Sequence, residues 1–152
     1  MGFFDFLFSK PVYLEDKFFG QLQWLGDKAQ TGYSEGKRIF QPTGQVLEFN
    51  ISAQKTGPTA AHSAFFQWVE AQYPALCGAA GPLITAEFGK WISGFQIQDF
   101  EREFTPTFLS IPANAADPLA EWELAFDTVH DQNHTVTVCF VGATPVYGRV
   151  DG

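Results

Sequence analysis

A chain of 152 residues with 45% hydrophobic and 16% aromatic content is long enough for one packed domain and too apolar for disorder. Its net charge of −8 is uneven: residues 91–152 hold nine acids against only Arg102 and Arg149, while residues 1–90 are close to neutral. An acidic half of this kind repels nucleic-acid phosphates and anionic lipid surfaces, which argues against both as partners.

Met1 to Lys10, MGFFDFLFSK, is apolar but has no basic leader, carries Asp5 inside the run and lacks a small-residue cleavage site. It is too short to span a bilayer, and Phe6 stands where a myristoylation signal needs Ser or Thr. It is expected to be an arm that docks Phe3, Phe4, Leu7 and Phe8 on the body, with an oligomer contact as the alternative. Cys77 and Cys139 are the only thiols. A single distant pair suits two reduced, buried cysteines in a cytoplasmic protein.

Val12 to Leu25 reads as extended, with Phe18, Leu22 and Trp24 on one face. Gly26 to Gly36 reads as a polar loop. Lys37 to Phe40 and Gln45 to Ala53 form a hairpin through Pro42-Thr43-Gly44, with Leu47, Phe49 and Ile51 turned inward. The period then changes. Apolar residues at Ala61, Phe65, Trp68, Val69 and Tyr73 predict a helix over 58–73, opened by Pro58 and broken or kinked by Pro74. Leu83 to Trp91 can form a second helix. Gln96 to Glu103 is a charged connector, Thr107 to Ile111 a strand, Asn114 to Pro118 a turn, and Thr144 to Val150 a last strand.

Glu121 to Val141 predicts a hairpin. Trp122, Leu124 and Phe126 alternate with Glu121, Glu123 and Asp127, and Val136, Val138 and Phe140 repeat the pattern. A turn of about five residues, Val129 to Asn133, sets Phe126 opposite Val136, Leu124 opposite Val138 and Trp122 opposite Phe140. Strands, helices and strands in that order give a single α+β domain over 1–152. It is an antiparallel sheet of six to seven strands, packed by one or two central helices.

No catalytic constellation stands out. His130 and His134 have H-x-x-x-H spacing, but in a turn rather than on a helix, where a zinc site would need them. His62 has no orienting neighbour in sequence. Ser34, Ser63 and Ser110 lack a nucleophile elbow. Gly78 to Pro82 lacks the Lys and Ser/Thr of a phosphate loop. No metal ligand set and no cofactor is expected, and the chain is not expected to be an enzyme.

The acidic row is the clearest clue. Glu121, Glu123 and Asp127 share one strand face at a spacing of about 7 Å per residue pair, with Asp117 and Asp131 at either end. Such a row repels itself unless a cation opposes it. Arg149 can neutralise part of it; a basic protein partner can do more. Asp99, Glu101 and Glu103 extend the charge, and Phe100 and Phe104 offer aromatic anchors. The alternative is an ordinary solvated acidic surface.

The C-terminal run pairs Trp122 to Phe126 (W-E-L-x-F), Asp131 to His134 (D-x-x-H), Thr137 to Phe140 (T-V-x-F) and Asp151-Gly152 (D-G). Over about thirty residues this pattern resembles the ending of small bacterial proteins similar to the immunity proteins of contact-dependent and type VI secretion toxin systems. The resemblance implies a small, non-catalytic inhibitor that covers a toxin's active site, here a basic toxin or effector domain. A structural or assembly subunit of a secretion or phage apparatus, making homo-oligomer contacts such as a homodimer, is the alternative.

Overall fold

The computed structural model describes residues 12–26, 31–54 and 56–151. The predicted N-terminal arm and part of the predicted 26–36 loop lie outside these residues.

Eight strands form one sheet in the order of the sequence: β1 (Val12–Asp16), β2 (Gly20–Gly26), β3 (Thr31–Phe40), β4 (Gln45–Gln54), β5 (Phe104–Ile111), β6 (Glu121–Thr128), β7 (Asp131–Val141) and β8 (Thr144–Asp151). Every neighbouring pair is antiparallel except β4–β5, which is parallel. Between these two strands run helix α1 (Ala60–Gly89) and the single turn α2 (Phe100–Glu103). A parallel neighbour cannot be reached through a tight turn, so the chain needs this crossover. The α+β class is as expected; among the described residues the sheet has eight strands rather than about six to seven, and one long helix does the packing.

The extra strands come from segments with weak signals. Val12 to Leu25 is two strands, not one. Asp16 Oδ1 accepts the backbone N–H groups of Phe18 and Phe19 at 2.8 and 2.9 Å and turns the chain into β2. The predicted 26–36 loop is the first half of β3 from Thr31 onward. Small residues there are a packing requirement: a Cβ on Gly36 would stand 2.6 Å from Leu22 Cδ2 and 2.9 Å from the Phe49 ring.

Helix α1 runs for 30 residues straight through Pro74 and Pro82, a length of about 45 Å. Pro74 and Pro82 are both exposed, so water can reach the carbonyls that lose a helical donor. The opposite face is buried through Phe65, Phe66, Val69, Tyr73, Leu76, Ala80, Ile84 and Phe88. That continuous apolar face outweighs the local breaks, so the predicted stop at Pro74 does not occur.

The core lies between α1 and one face of the sheet. Phe66 is fully buried among Phe18, Phe19, Phe40 and Phe49, with ring centroids 5.8 to 6.1 Å apart. Trp122 stacks on Phe140 at 4.3 Å, meets Phe65 edge-on, and donates its indole N–H to the Gly142 carbonyl at 2.8 Å. Arg38 also points to this inner side, its guanidinium 3.8 Å over the Phe18 ring and bonded to the Phe18 carbonyl.

Candidate functional site: the outer face of the C-terminal strands

The β6–β7 register is the predicted one: Trp122 opposite Phe140, Leu124 opposite Val138, Phe126 opposite Val136. The turn is shorter than expected. Thr128 pairs with Asp131, while Asp127 pairs with Thr135, so Gln132 to His134 form a bulge in β7 rather than part of the loop. The bulge restores the phase that the two sets of rings require.

Because those rings turn toward α1, Glu121, Glu123, Ala125 and Asp127 turn outward. Glu121 and Asp127 are exposed and form no ion pair among the described residues. Glu123 differs. Arg149 grips it with two hydrogen bonds of 3.0 and 3.1 Å, reaching across β7, and its Nε donates to Asp151 at 2.8 Å. This contact, ahead of the cost of burial, holds the Glu123 carboxyl below its usual range. The Cys139 thiol lies beneath the pair, 3.4 Å from Glu123 Oε1 and 3.5 Å from the guanidinium. Burial pushes that thiol up, away from the reactive thiolate. Of the row of three acids, Arg149 engages the central one, as the sequence allows, and leaves Glu121 and Asp127 on either side without a cation among the described residues.

The flanking residues have local duties. Asp117 Oδ1 accepts the Leu119 N–H at 2.8 Å and shapes the loop before β6. Asp131 accepts the Asn133 N–H at 3.1 Å and meets His134 Nδ1 at 2.6 Å. The His134 contact is the main reason its carboxyl titrates low.

The 99–104 segment is mostly structural, against expectation. Phe104 is only 1% exposed, because β5 begins three residues earlier than predicted and turns this ring into the core. Phe100 is half-buried against Phe104 and Phe126 at 5.0 and 5.4 Å. Phe104 is therefore not free to anchor a partner, whereas Phe100 also lines the cleft beside α1. Glu103 accepts the backbone N–H groups of Gln98 and Asp99 and meets His130 Nε2 at 2.7 Å. These backbone donors, that of Asp99 first, hold its carboxyl low. Asp99 and Glu101 remain exposed, Asp99 beside Arg102 at 3.4 Å. Glu101 stands at the rim of a cleft of about 770 Å³ between α1 and residues 96–101, floored by Tyr73, Cys77, Gly78 and Gly81. The cleft depends on the helix continuing past Pro74, so a sequence reading that stops the helix there cannot foresee it.

The three histidines point to different tasks. His130 packs edge-on against Phe95 at 4.9 Å while holding Glu103. His134 serves its own turn. His62 Nδ1 accepts the Thr59 backbone N–H at 2.9 Å at the start of α1, and its ring is buried. Among the described residues no three His, Cys, Asp or Glu side chains gather as a metal set. Among the described residues no helix is long and apolar enough to cross a membrane. No protein-family model, no curated protein and no solved structure matches this chain.

Proposed function

We propose that this is a non-enzymatic binding protein of immunity type, acting in the cytoplasm and neutralising a basic toxin or effector domain through the outer acidic face. The observation that carries the reading is the pair Glu121 and Asp127: outward, exposed and without an intramolecular cation among the described residues. Two uncompensated carboxylates on a rigid strand raise the stability of the complex when a cation arrives, with no rearrangement of the sheet. Asp117 and Asp131 carry the same sign at either end of the strand, while Asp99 and Glu101 add theirs beside the cleft next to α1. The Glu123–Arg149 pair keeps the centre of the patch fixed and nearly neutral.

The test is calorimetry of the full chain against the basic protein encoded beside it. Glu121→Lys with Asp127→Lys is expected to weaken binding by about a hundredfold or more, because two attractions become two repulsions. Raised salt is expected to slow association. Unchanged affinity in the double variant would overturn the reading.

A second reading, an assembly subunit, is favoured by one observation. Ile39 and Val46 face each other across β3 and β4 on the outer side and are 47% and 54% exposed. Light scattering of the full chain against one lacking residues 1–10 decides it. A monomer in both cases removes it.

A further inference from the structure

A second depression lies on the outer face over the first five strands, its last strand, β5, being the neighbour of the strand that carries Glu121 and Asp127. It is a cleft of about 320 Å³ crossing β1 to β5, with Tyr13 at one end and Phe108 at the other. The register explains its lining. Tyr13 pairs with Gln23, Gln23 with Glu35, Lys37 with Glu48, and Glu48 with Phe108, so all six side chains emerge on the same side.

Two features mark the cleft as more than a dip in the surface. Lys37 and Glu48 are direct cross-strand partners of opposite sign, yet they form no ion pair among the described residues. An opposite-charge pair of this kind can stabilise a sheet; here both groups line the cleft without engaging each other. Tyr13, moreover, is 57% exposed, a large ring left on the solvent side beside these polar groups.

The geometry points to a binding site for a neutral saccharide, taking one or two pyranose rings. The chemistry selects this class. One ammonium against the carboxylates of Glu35 and Glu48 leaves the cleft net negative, which rejects phosphates and carboxylates. Lys37 in its middle rejects a cation. What remains is a ligand that both donates and accepts at neighbouring positions, as adjacent ring hydroxyls do. Glu35 and Glu48 accept, Lys37 donates, and the Gln23 amide does both. The apolar C–H face of a sugar ring can lie on Tyr13 or Phe108, giving an aromatic wall with a few convergent polar groups. The volume is at the low end of small-molecule sites, and the cleft is open, so affinity in the millimolar range is expected.

The experiment is a nitrogen–proton NMR titration of the full chain. One arm uses free disaccharides of glucose, galactose, mannose and N-acetylglucosamine at up to about 10 mM. A second arm uses a soluble neutral polysaccharide of the same sugars, and a third uses adenosine monophosphate. The expected result is saturable shifts around Gln21, Gln23, Lys37 and Glu48 with at least one saccharide and none with the nucleotide. Free sugar and polymer are told apart by which arm saturates at the lower concentration of rings. Tyr13→Ala and Lys37→Ala, both at exposed positions, are expected to weaken binding about tenfold or more while leaving the spectrum folded. No saturable shift with any saccharide, shifts unchanged in both variants, or the nucleotide binding in the cleft would each overturn the assignment.

Discussion

Arg149 holds Glu123 from two strands away, bonding both carboxylate oxygens over the thiol of Cys139. The pair decides which acids on β6 are free to meet a partner and which one is already engaged.

Its energetic weight can be read from pH. Glu123 titrates low in the fold, so its contribution is present above the unfolded carboxylate pKa and is lost as pH falls through the lowered folded value. The Arg149 and Glu123 side chains are 40% and 37% exposed, and solvent screening limits the pair to about 1 kcal/mol. Arg149→Met is expected to lose that amount near neutral pH in urea unfolding. Its deficit relative to the unmodified chain should shrink in acid. A deficit independent of pH would mean that Arg149 stabilises by packing alone.

The outer acids should separate by stability. Glu121→Lys and Asp127→Lys break no ion pair among the described residues and are expected to shift unfolding by no more than about 0.5 kcal/mol. Glu123→Lys faces Arg149 with a like charge and should cost clearly more. Thermal unfolding of the three variants side by side checks the order.

Glu103 is expected to matter for the fold. Glu103→Ala frees the exposed N–H groups of Gln98 and Asp99 to water and releases His130, at a cost of about 1 kcal/mol. Amide hydrogen exchange should show faster opening of residues 96–103 before any change in the β6–β7 strands.

Glycine substitutions should act in opposite directions. A Cβ on Gly78 or Gly81 meets nothing within 4 Å, so Gly78→Ala and Gly81→Ala should each gain up to about 1 kcal/mol through helix propensity. Gly142 has φ of +58° and a Cβ there would stand 2.3 Å from the Pro118 carbonyl oxygen. Gly142→Ala is therefore expected to lower the urea midpoint, and an unchanged midpoint in that variant would show that the Pro118 loop yields freely.

The two cysteines should be silent. Burial pushes the Cys77 thiol up to about 11 and raises that of Cys139. A disulfide reagent at neutral pH is expected to react with both only after unfolding. Rapid modification of the native chain would contradict the packing around them.

Legibility in the sequence follows the strength of each local pattern. Trp122, Leu124 and Phe126 alternate without interruption, so their partners across the hairpin can be named to the residue. The three-residue bulge at Gln132 to His134 cannot, since its polar residues look like any loop. Pro74 misleads because a proline's local cost is visible in sequence, whereas the apolar face running from Phe65 to Phe88 acts only once the sheet is present. Gly32, Ser34 and Gly36 read as loop because small residues carry no periodic signal; only Leu22 and Phe49 show why size is limited at Gly36. Phe104 is hidden by a strand that starts three residues early. Arg149 can be suspected, but its position over Glu123 depends on the register of β8, which no single strand reveals.

The lone parallel seam divides the sheet into two quartets, each knitted from neighbours in the chain. Within each quartet, pairing needs only short hairpin closures, which form quickly. The seam instead joins four residue pairs from β4 and β5, such as Glu48 with Phe108, roughly sixty positions apart, and bringing them together carries the largest loop entropy in the fold. Folding speed should thus be set at Phe49, Ile51, Leu109 and Ile111, where the halves are sutured, and the acidic strand, one place beyond that suture, would take shape on its own side before the molecule is whole.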